Sequence, residues 1–161
     1  MMLGMSLAGF TVFHLIISMI AIALGFVVAG GLFASNRLPG WTAWFLVLTI
    51  LTSATGFLFP FTTLLPSHIV AIISLVLLAI AVYALYSKRL AGIWRPVYIV
   101  TAMLALWFNV FVLIVQSFQK VALLKALAPT GSEPPFAITQ GVVLIFFIYM
   151  IVLGIRRFRP A

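Results

Sequence analysis

The stretch Trp107–Phe136, WFNVFVLIVQSFQKVALLKALAPTGSEPPF, decides how the rest of the chain is arranged. It begins as an apolar segment, carries polar side chains at near-helical spacing, and ends in the only long polar segment of the sequence. Those polar side chains are Asn109, Gln116, Gln119 and Lys120. An apolar helix that runs into a polar loop predicts that the chain leaves a membrane here. The other apolar segments are expected to pack around this helix.

Composition indicates a membrane protein. The chain has 161 residues, of which 66% are hydrophobic and 6% are charged. Soluble domains are roughly 25% charged and about half apolar. Such a composition predicts a single integral membrane domain over residues 1–161, with the lipid bilayer as its surroundings.

Five apolar segments are long enough to cross a bilayer core, which requires about 20 helical residues. Each is expected to be helical, because a helix satisfies its own backbone hydrogen bonds in lipid. The sequence therefore predicts an all-α bundle of five transmembrane helices. The predicted spans are Ala8–Phe33, Trp41–Pro60, Ser67–Tyr86, Pro96–Phe118 and Phe136–Ile155.

The basic residues predict the orientation. Seven of the nine Lys and Arg residues fall in the first gap, the third gap or the C-terminal segment: Arg37, Lys88, Arg89, Arg95, Arg156, Arg157 and Arg159. Only Lys120 and Lys125 fall on the opposite side. Because cytoplasmic loops are enriched in Lys and Arg, the N-terminus is expected outside and the C-terminus in the cytoplasm.

The fourth helix is expected to be longer than the membrane is thick. The segment Pro96–Leu127 contains no helix breaker and would extend about 48 Å as a helix, whereas the hydrocarbon core is about 30 Å thick. We therefore expect Phe118–Leu127 to project outward or to bend onto the outer surface. An outer loop at 119–135 then leads to the fifth helix.

Polar side chains in the outer half of the predicted bundle form a candidate pocket. Polar groups are costly in lipid, so they are expected to face the bundle interior or a cavity. The residues assigned to this pocket are His14, His68, Asn109, Gln116, Gln119, Lys120 and Gln140.

Several occupants of this pocket are compatible with the sequence. His14 and His68 lie on different helices and could be the axial ligands of a haem b, as in other helical bundles. The same side chains could instead hydrogen-bond the carbonyls of a quinone. In the simplest alternative, the histidines and Asn109 only hydrogen-bond neighbouring helices.

The residue types that the chain lacks exclude several classes of function. The chain has no cysteine and one acidic side chain, Glu133. Dithiol chemistry and paired-carboxylate hydrolysis within this subunit are therefore excluded. The sequence has no Gly-rich phosphate loop, and the basic residues occupy short gaps rather than one nucleic-acid-binding surface. We expect a protein that is not an enzyme and does not bind nucleic acid.

With these segments placed, the chain resembles a family of small, uncharacterised bacterial polytopic inner-membrane proteins with no assigned activity. The stretches that carry the resemblance are TSATGFLFP (52–60), LPSH (65–68), WRPVY (94–98), NVFVLIVQSFQKV (109–121) and LAPTGSEPPF (127–136). The resemblance covers most of the chain. It implies a multi-pass protein of the bacterial inner membrane and assigns no catalytic residue.

The sequence thus favours a non-enzymatic inner-membrane protein. It would be an accessory subunit of a larger membrane complex, or a bundle that binds a lipophilic ligand in the outer-half pocket. The alternative is an electron-transfer protein that binds haem b or quinone through His14 and His68. A small permease or channel is less well supported, because no span carries a charged stripe or a helix break that would form an ion site.

Overall fold

A computed structural model describes residues 4–60, 62–63 and 66–160, and within these residues the chain is built from six α-helices. The third continues into a single π-helical turn, Tyr83–Ser87, at its C-terminal end. The six helices are α1 Leu7–Phe33, α2 Pro39–Gly56, α3 Pro66–Val82, α4 Trp94–Lys120, α5 Ala122–Leu127 and α6 Pro134–Arg157. The predicted all-α fold is confirmed.

Four of the helices are long and apolar enough to cross a membrane: α1, α3 with its π-helical turn, α4 and α6. This architecture indicates an integral, multi-pass membrane protein. Helix α2, which covers most of the predicted second span, has 18 residues and is less apolar because it carries a row of hydroxyl side chains. The fifth span therefore stays a prediction.

The five long helices alternate in direction, so their ends form two groups. At one end, His14 of α1 bonds Thr55 of α2, the segment after α2 stacks on His68 of α3, and Phe118 of α4 meets Phe136 at the start of α6. We call this the His14 end.

At the opposite end, Arg95 near the start of α4 bonds the backbone at the C-terminus of α6. The N–H of Arg159 donates to Ser35 Oγ after α1. We call this the Arg95 end.

Helix α4 is central to the bundle, because it packs against α1, α2, α3 and α6. Its inner face is lined by small and branched side chains that are fully buried, including Ala102, Ala105 and Leu106. Helix α1 packs closely at Gly25, where an added Cβ would overlap Leu106 Cδ1 and lie 2.9 Å from Phe45 Cε2. A larger residue at this position would therefore force Leu106 and Phe45 to shift.

The predicted long fourth helix is interrupted. Helix α4 ends at Lys120, Val121 has an extended backbone (φ −86°, ψ 115°), and α5 begins at Ala122. The chain therefore bends, one of the two arrangements predicted for this segment, and a straight outward projection is not found. Val121 and Leu123 are 49% and 75% exposed, so the bend places apolar side chains where a membrane surface can cover them.

Candidate ligand-binding site

His14 lies in the second turn of α1 and is held by α2. Its Nδ1 is 2.9 Å from Thr55 Oγ1, and the Thr55 hydroxyl itself donates to the Leu51 carbonyl at 2.6 Å. Thr55 can therefore only accept from His14, which assigns the ring proton to Nδ1. The ring also meets Phe59 edge-on, with centroids 5.2 Å apart. Nε2 consequently carries the free lone pair.

The second histidine is in a different environment. His68 is buried in the first turn of α3 and stacks on Phe57 with ring centroids 5.5 Å apart. Because His14 contacts Thr55 and Phe59, the chain segment 55–59 touches both imidazoles. A haem held by both rings would therefore require this segment to move. Axial ligation by His14 and His68 stays a prediction.

Helical spacing places Asn109 on the same face of α4 as Tyr98, eleven residues earlier. Tyr98 of α4 hydrogen-bonds Thr42 of α2, and both helices run in the same direction. Eleven residues further along each helix, about 16 Å, Asn109 reaches the level of Ser53. Ser53 Oγ donates a hydrogen bond to Ser74 Oγ of α3 at 3.3 Å.

Two polar atoms in this layer are left without a partner among the described residues. Thr52 Oγ1 and Asn109 Nδ2 are both buried, and neither makes a hydrogen bond there. An unsatisfied polar group costs about 1–3 kcal/mol in a protein interior, so this layer is a candidate contact for a polar ligand atom. Sequence reasoning selected Asn109 but missed Thr52, because a threonine in a stripe of small residues is typical of helix packing.

A second pair of unsatisfied atoms lies near Phe111 of α4, whose carbonyl Gln140 of α6 reaches at the α4–α6 interface. Gln140 Nε2 of α6 donates to the Phe111 carbonyl at 3.2 Å, but its Oε1 is buried without a partner among the described residues. Trp107 Nε1 is also buried without a hydrogen-bond partner among the described residues. The Trp107 ring packs against the Phe111 ring with centroids 5.7 Å apart. One buried donor and one buried acceptor therefore lie near Phe111. Trp107 was missed from the sequence because it reads as an apolar residue of the span.

A cavity of about 350 Å³ opens on this interface at the His14 end. Its walls come from the end of α4, α5, the polar loop and the start of α6. They are Val115, Phe118, Gln119, Lys125, Ala128, Pro129, Thr130, Gly131 and Phe136. Of the residues predicted to form the pocket, only Gln119 lines this cavity.

The predicted pocket residues are thus divided among three interfaces. By helical spacing, Gln116 and Lys120 share the face of Asn109, seven and eleven residues further along α4. Lys120 is close enough to act electrostatically on His14 of α1. Gln119 and Gln140 lie on the α6 side, and His68 lies between α2 and α3. The structure brings the seven side chains to one half of the bundle but not into one pocket.

The polar loop is closed by its own carboxylate. Glu133 accepts hydrogen bonds from Thr130 N at 2.9 Å, Thr130 Oγ1 at 2.8 Å and Ser132 N at 3.1 Å. These hydrogen bonds lower the pKa of Glu133 to about 2, and the bond from the Thr130 backbone N–H contributes most. The Thr130 hydroxyl and the Ser132 backbone N–H lower it further. The charged form therefore holds the loop in shape at the start of α6.

This pKa makes the loop sensitive to acid. Because the folded-state pKa lies below the ordinary carboxyl value of about 4.3, the stabilisation is present above that value and is lost as pH falls towards 2. We expect the Thr130 and Ser132 amides to lose protection from hydrogen exchange, after correction for intrinsic rates, between pH 4.5 and pH 2. Glu133→Gln should show weak protection at every pH, and a wild-type loop equally protected at pH 2 would contradict this role.

Within the described residues, no three His, Cys, Asp or Glu side chains are grouped so that they could hold a metal ion. Comparison with known protein families, curated sequences and solved structures finds no match. The resemblance to small bacterial inner-membrane proteins therefore stays a prediction, and the function is argued from the geometry alone.

Proposed function

We propose that all five long helices cross the bacterial inner membrane. Helices α1 and α3 both run from the His14 end to the Arg95 end, so the chain must return across the bundle between them. Helix α2 is the segment that does so, and it contacts both α1 and α3. Its 18 residues extend about 27 Å, close to the thickness of the hydrocarbon core. Its hydroxyl side chains face the bundle, since Thr49, Thr52, Ser53 and Thr55 are buried.

In this proposal the Arg95 end of the bundle is cytoplasmic, and this assignment determines the side of the membrane on which each terminus lies. Seven of the nine basic residues belong to that end, and cytoplasmic segments are enriched in Lys and Arg. Exposed aromatic side chains of the kind found at membrane interfaces also gather there: Trp41, Trp44, Tyr83 and Tyr86. With five spans, the N-terminus then lies outside.

Cysteine labelling tests this topology, because the native chain has no cysteine. Ala8, Ser87 and Ala126 are exposed and are suitable single-cysteine positions. A membrane-impermeant maleimide applied to intact spheroplasts is expected to label Ala8→Cys and Ala126→Cys, and Ser87→Cys only after permeabilisation. If α2 did not cross, Ala8→Cys and Ala126→Cys would be labelled from opposite sides.

We further propose that the protein is not an enzyme and that its interior binds the polar group of a lipophilic ligand. The observation that carries this proposal is the set of four buried polar atoms without partners among the described residues: Thr52 Oγ1, Trp107 Nε1, Asn109 Nδ2 and Gln140 Oε1. In lipid such groups cannot turn to water, so each carries a cost that a ligand would remove.

The arrangement of these atoms suggests the chemistry of the ligand. The four atoms form two pairs, because Trp107 and Asn109 lie on opposite faces of α4. Asn109 Nδ2 can only donate and the Thr52 hydroxyl does either, whereas Trp107 Nε1 donates and Gln140 Oε1 accepts. A carbonyl or hydroxyl on an apolar molecule matches either pair, and a quinone belongs to that class.

One observation favours a second candidate, an electron-transfer protein that binds haem b. His14 donates from Nδ1 to Thr55 and leaves Nε2 with its lone pair. Metal-binding histidines in proteins are oriented by such a hydrogen bond on the other ring nitrogen.

Purification in mild detergent from the protein's own host tests both candidates. Solvent extraction followed by mass spectrometry is expected to yield one carbonyl- or hydroxyl-bearing lipophile per chain, in addition to bulk phospholipid. A Soret band with sharp α and β bands after dithionite reduction would favour the haem candidate. A chain free of any such molecule would overturn ligand binding, and a stoichiometric protein partner in its place would indicate an accessory subunit.

A further inference from the structure

We propose that the cavity at the His14 end binds the phosphate headgroup of an acidic phospholipid. This second site lies between the end of α4, α5 and the polar loop, and it does not depend on the interior ligand.

The lining contains both polar and apolar residues. Lys125 and Gln119 supply a cation and an amide, and Thr130 and Gly131 belong to the polar loop. The large apolar residues of the lining are Val115, Phe118 and Phe136. A volume of about 350 Å³ is at the lower end of the range found for small-molecule sites. The cavity therefore suits a compact anionic group attached to an apolar chain.

The charged residues at the His14 end favour the binding of an anion that is not part of the chain. Glu133 is the only acidic side chain of the protein, and its carboxylate is directed into its own loop by three hydrogen bonds. It does not line the cavity. Lys125 thus brings a positive charge to the cavity wall that this carboxylate does not neutralise.

The setting of the cavity identifies the anion as part of a lipid. Helix α5 forms one wall, and its apolar side chains Leu123 and Leu127 are 75% and 52% exposed. A short segment with exposed leucines and a lysine, placed directly after a membrane span, is suited to lie at the lipid interface. Basic side chains in this zone attract anionic lipids by about 1 kcal/mol each.

Native mass spectrometry of the full chain, released from nanodiscs, tests the proposal. The probes are nanodiscs of phosphatidylglycerol and of phosphatidylcholine, and the variant is Lys125→Gln. The matched control is Lys120→Gln, which removes a charge at the same end but outside the cavity lining. Both lysines are exposed, so neither change should disturb folding, and thermal unfolding of the same samples checks this.

We expect one phosphatidylglycerol to remain bound to the wild type and its affinity to fall about fivefold in Lys125→Gln. Lys120→Gln and Lys125→Arg should retain it, and phosphatidylcholine should not replace it. Equal losses in the two glutamine variants would indicate only a general surface charge and would overturn the site. Displacement of the lipid by millimolar inorganic phosphate would overturn the assignment to a lipid. Neither result for the phospholipid changes what solvent extraction shows about the interior ligand. The phospholipid site and the interior ligand can therefore be rejected independently.

Discussion

Replacing Gly25 with alanine is expected to destabilise the bundle by about 1–3 kcal/mol, the usual cost of overpacking a tight core. The added methyl group would overlap Leu106 Cδ1 and lie 2.9 Å from Phe45 Cε2. Both neighbours are completely buried, so neither can turn away into free space. The new side chain would therefore force α1 away from α4, the helix on which the whole bundle is assembled.

Gly30 provides a matched control in the same helix. Nothing lies within 4 Å of a Cβ added there, and alanine is a better helix former than glycine by about 1 kcal/mol. Gly30→Ala should therefore be neutral or stabilising in the same thermal-unfolding measurement in detergent. Adding Leu106→Val to Gly25→Ala should restore part of the loss. Equal effects of the two glycine substitutions would show that the close contact at Gly25 does not govern helix packing.

Replacing Arg95 with alanine is expected to cost about 1.5–3 kcal/mol, the range for hydrogen bonds to a charged group. Its Nη1 donates to the Ile155 carbonyl at 2.8 Å and to the Phe158 carbonyl at 2.6 Å. These carbonyls belong to the last turn of α6 and the residue after it, where no further helix supplies N–H groups. Arg95 therefore caps α6 and joins its C-terminus to the start of α4.

Arg156→Ala is the control for this prediction, because Arg156 is an exposed basic residue at the same end of the bundle. It should change the unfolding temperature little, whereas Arg95→Lys should give an intermediate loss, since lysine keeps the charge but not the forked donor geometry. If Arg95→Ala and Arg156→Ala behaved alike, Arg95 would contribute only to membrane orientation.

Much of the fold could be predicted from the sequence because lipid allows few structures. Long apolar segments must be helical in a bilayer, and α1, α3, α4 and α6 were predicted for that reason. Helix α2 was predicted as a span on the same ground, but its hydroxyl groups make it less apolar than the other four long helices. The interruption of α4 at Val121 could not be predicted from the sequence, because no glycine or proline lies there.

The candidate site was predicted less completely. The cost of polar groups in lipid identified His14, Asn109 and Gln140 as side chains that need partners. The rotation of each helix, which decides which of them meet, depends on close contacts such as that of Gly25 with Leu106. The sequence likewise did not identify the carbonyls that Arg95 binds, because counts of basic residues predict only an orientation in the membrane.

Asn109→Leu tests whether the polar groups in the bundle interior bind a ligand or only pack the helices. The measurement compares ligand retention after purification and thermal unfolding of the ligand-free protein, with Thr49→Val as the control. Thr49 Oγ1 is buried but already bonded to the Phe45 carbonyl at 2.7 Å, so its removal should leave ligand retention unchanged.

We predict that Asn109→Leu loses the ligand while the ligand-free protein is as stable as the wild type or more so, because an unsatisfied amide is replaced by an apolar group. The opposite result would be full ligand retention together with a stability loss of about 0.6–2 kcal/mol, the value of a hydrogen bond between membrane helices. That result would make Asn109 a packing residue and would contradict the account.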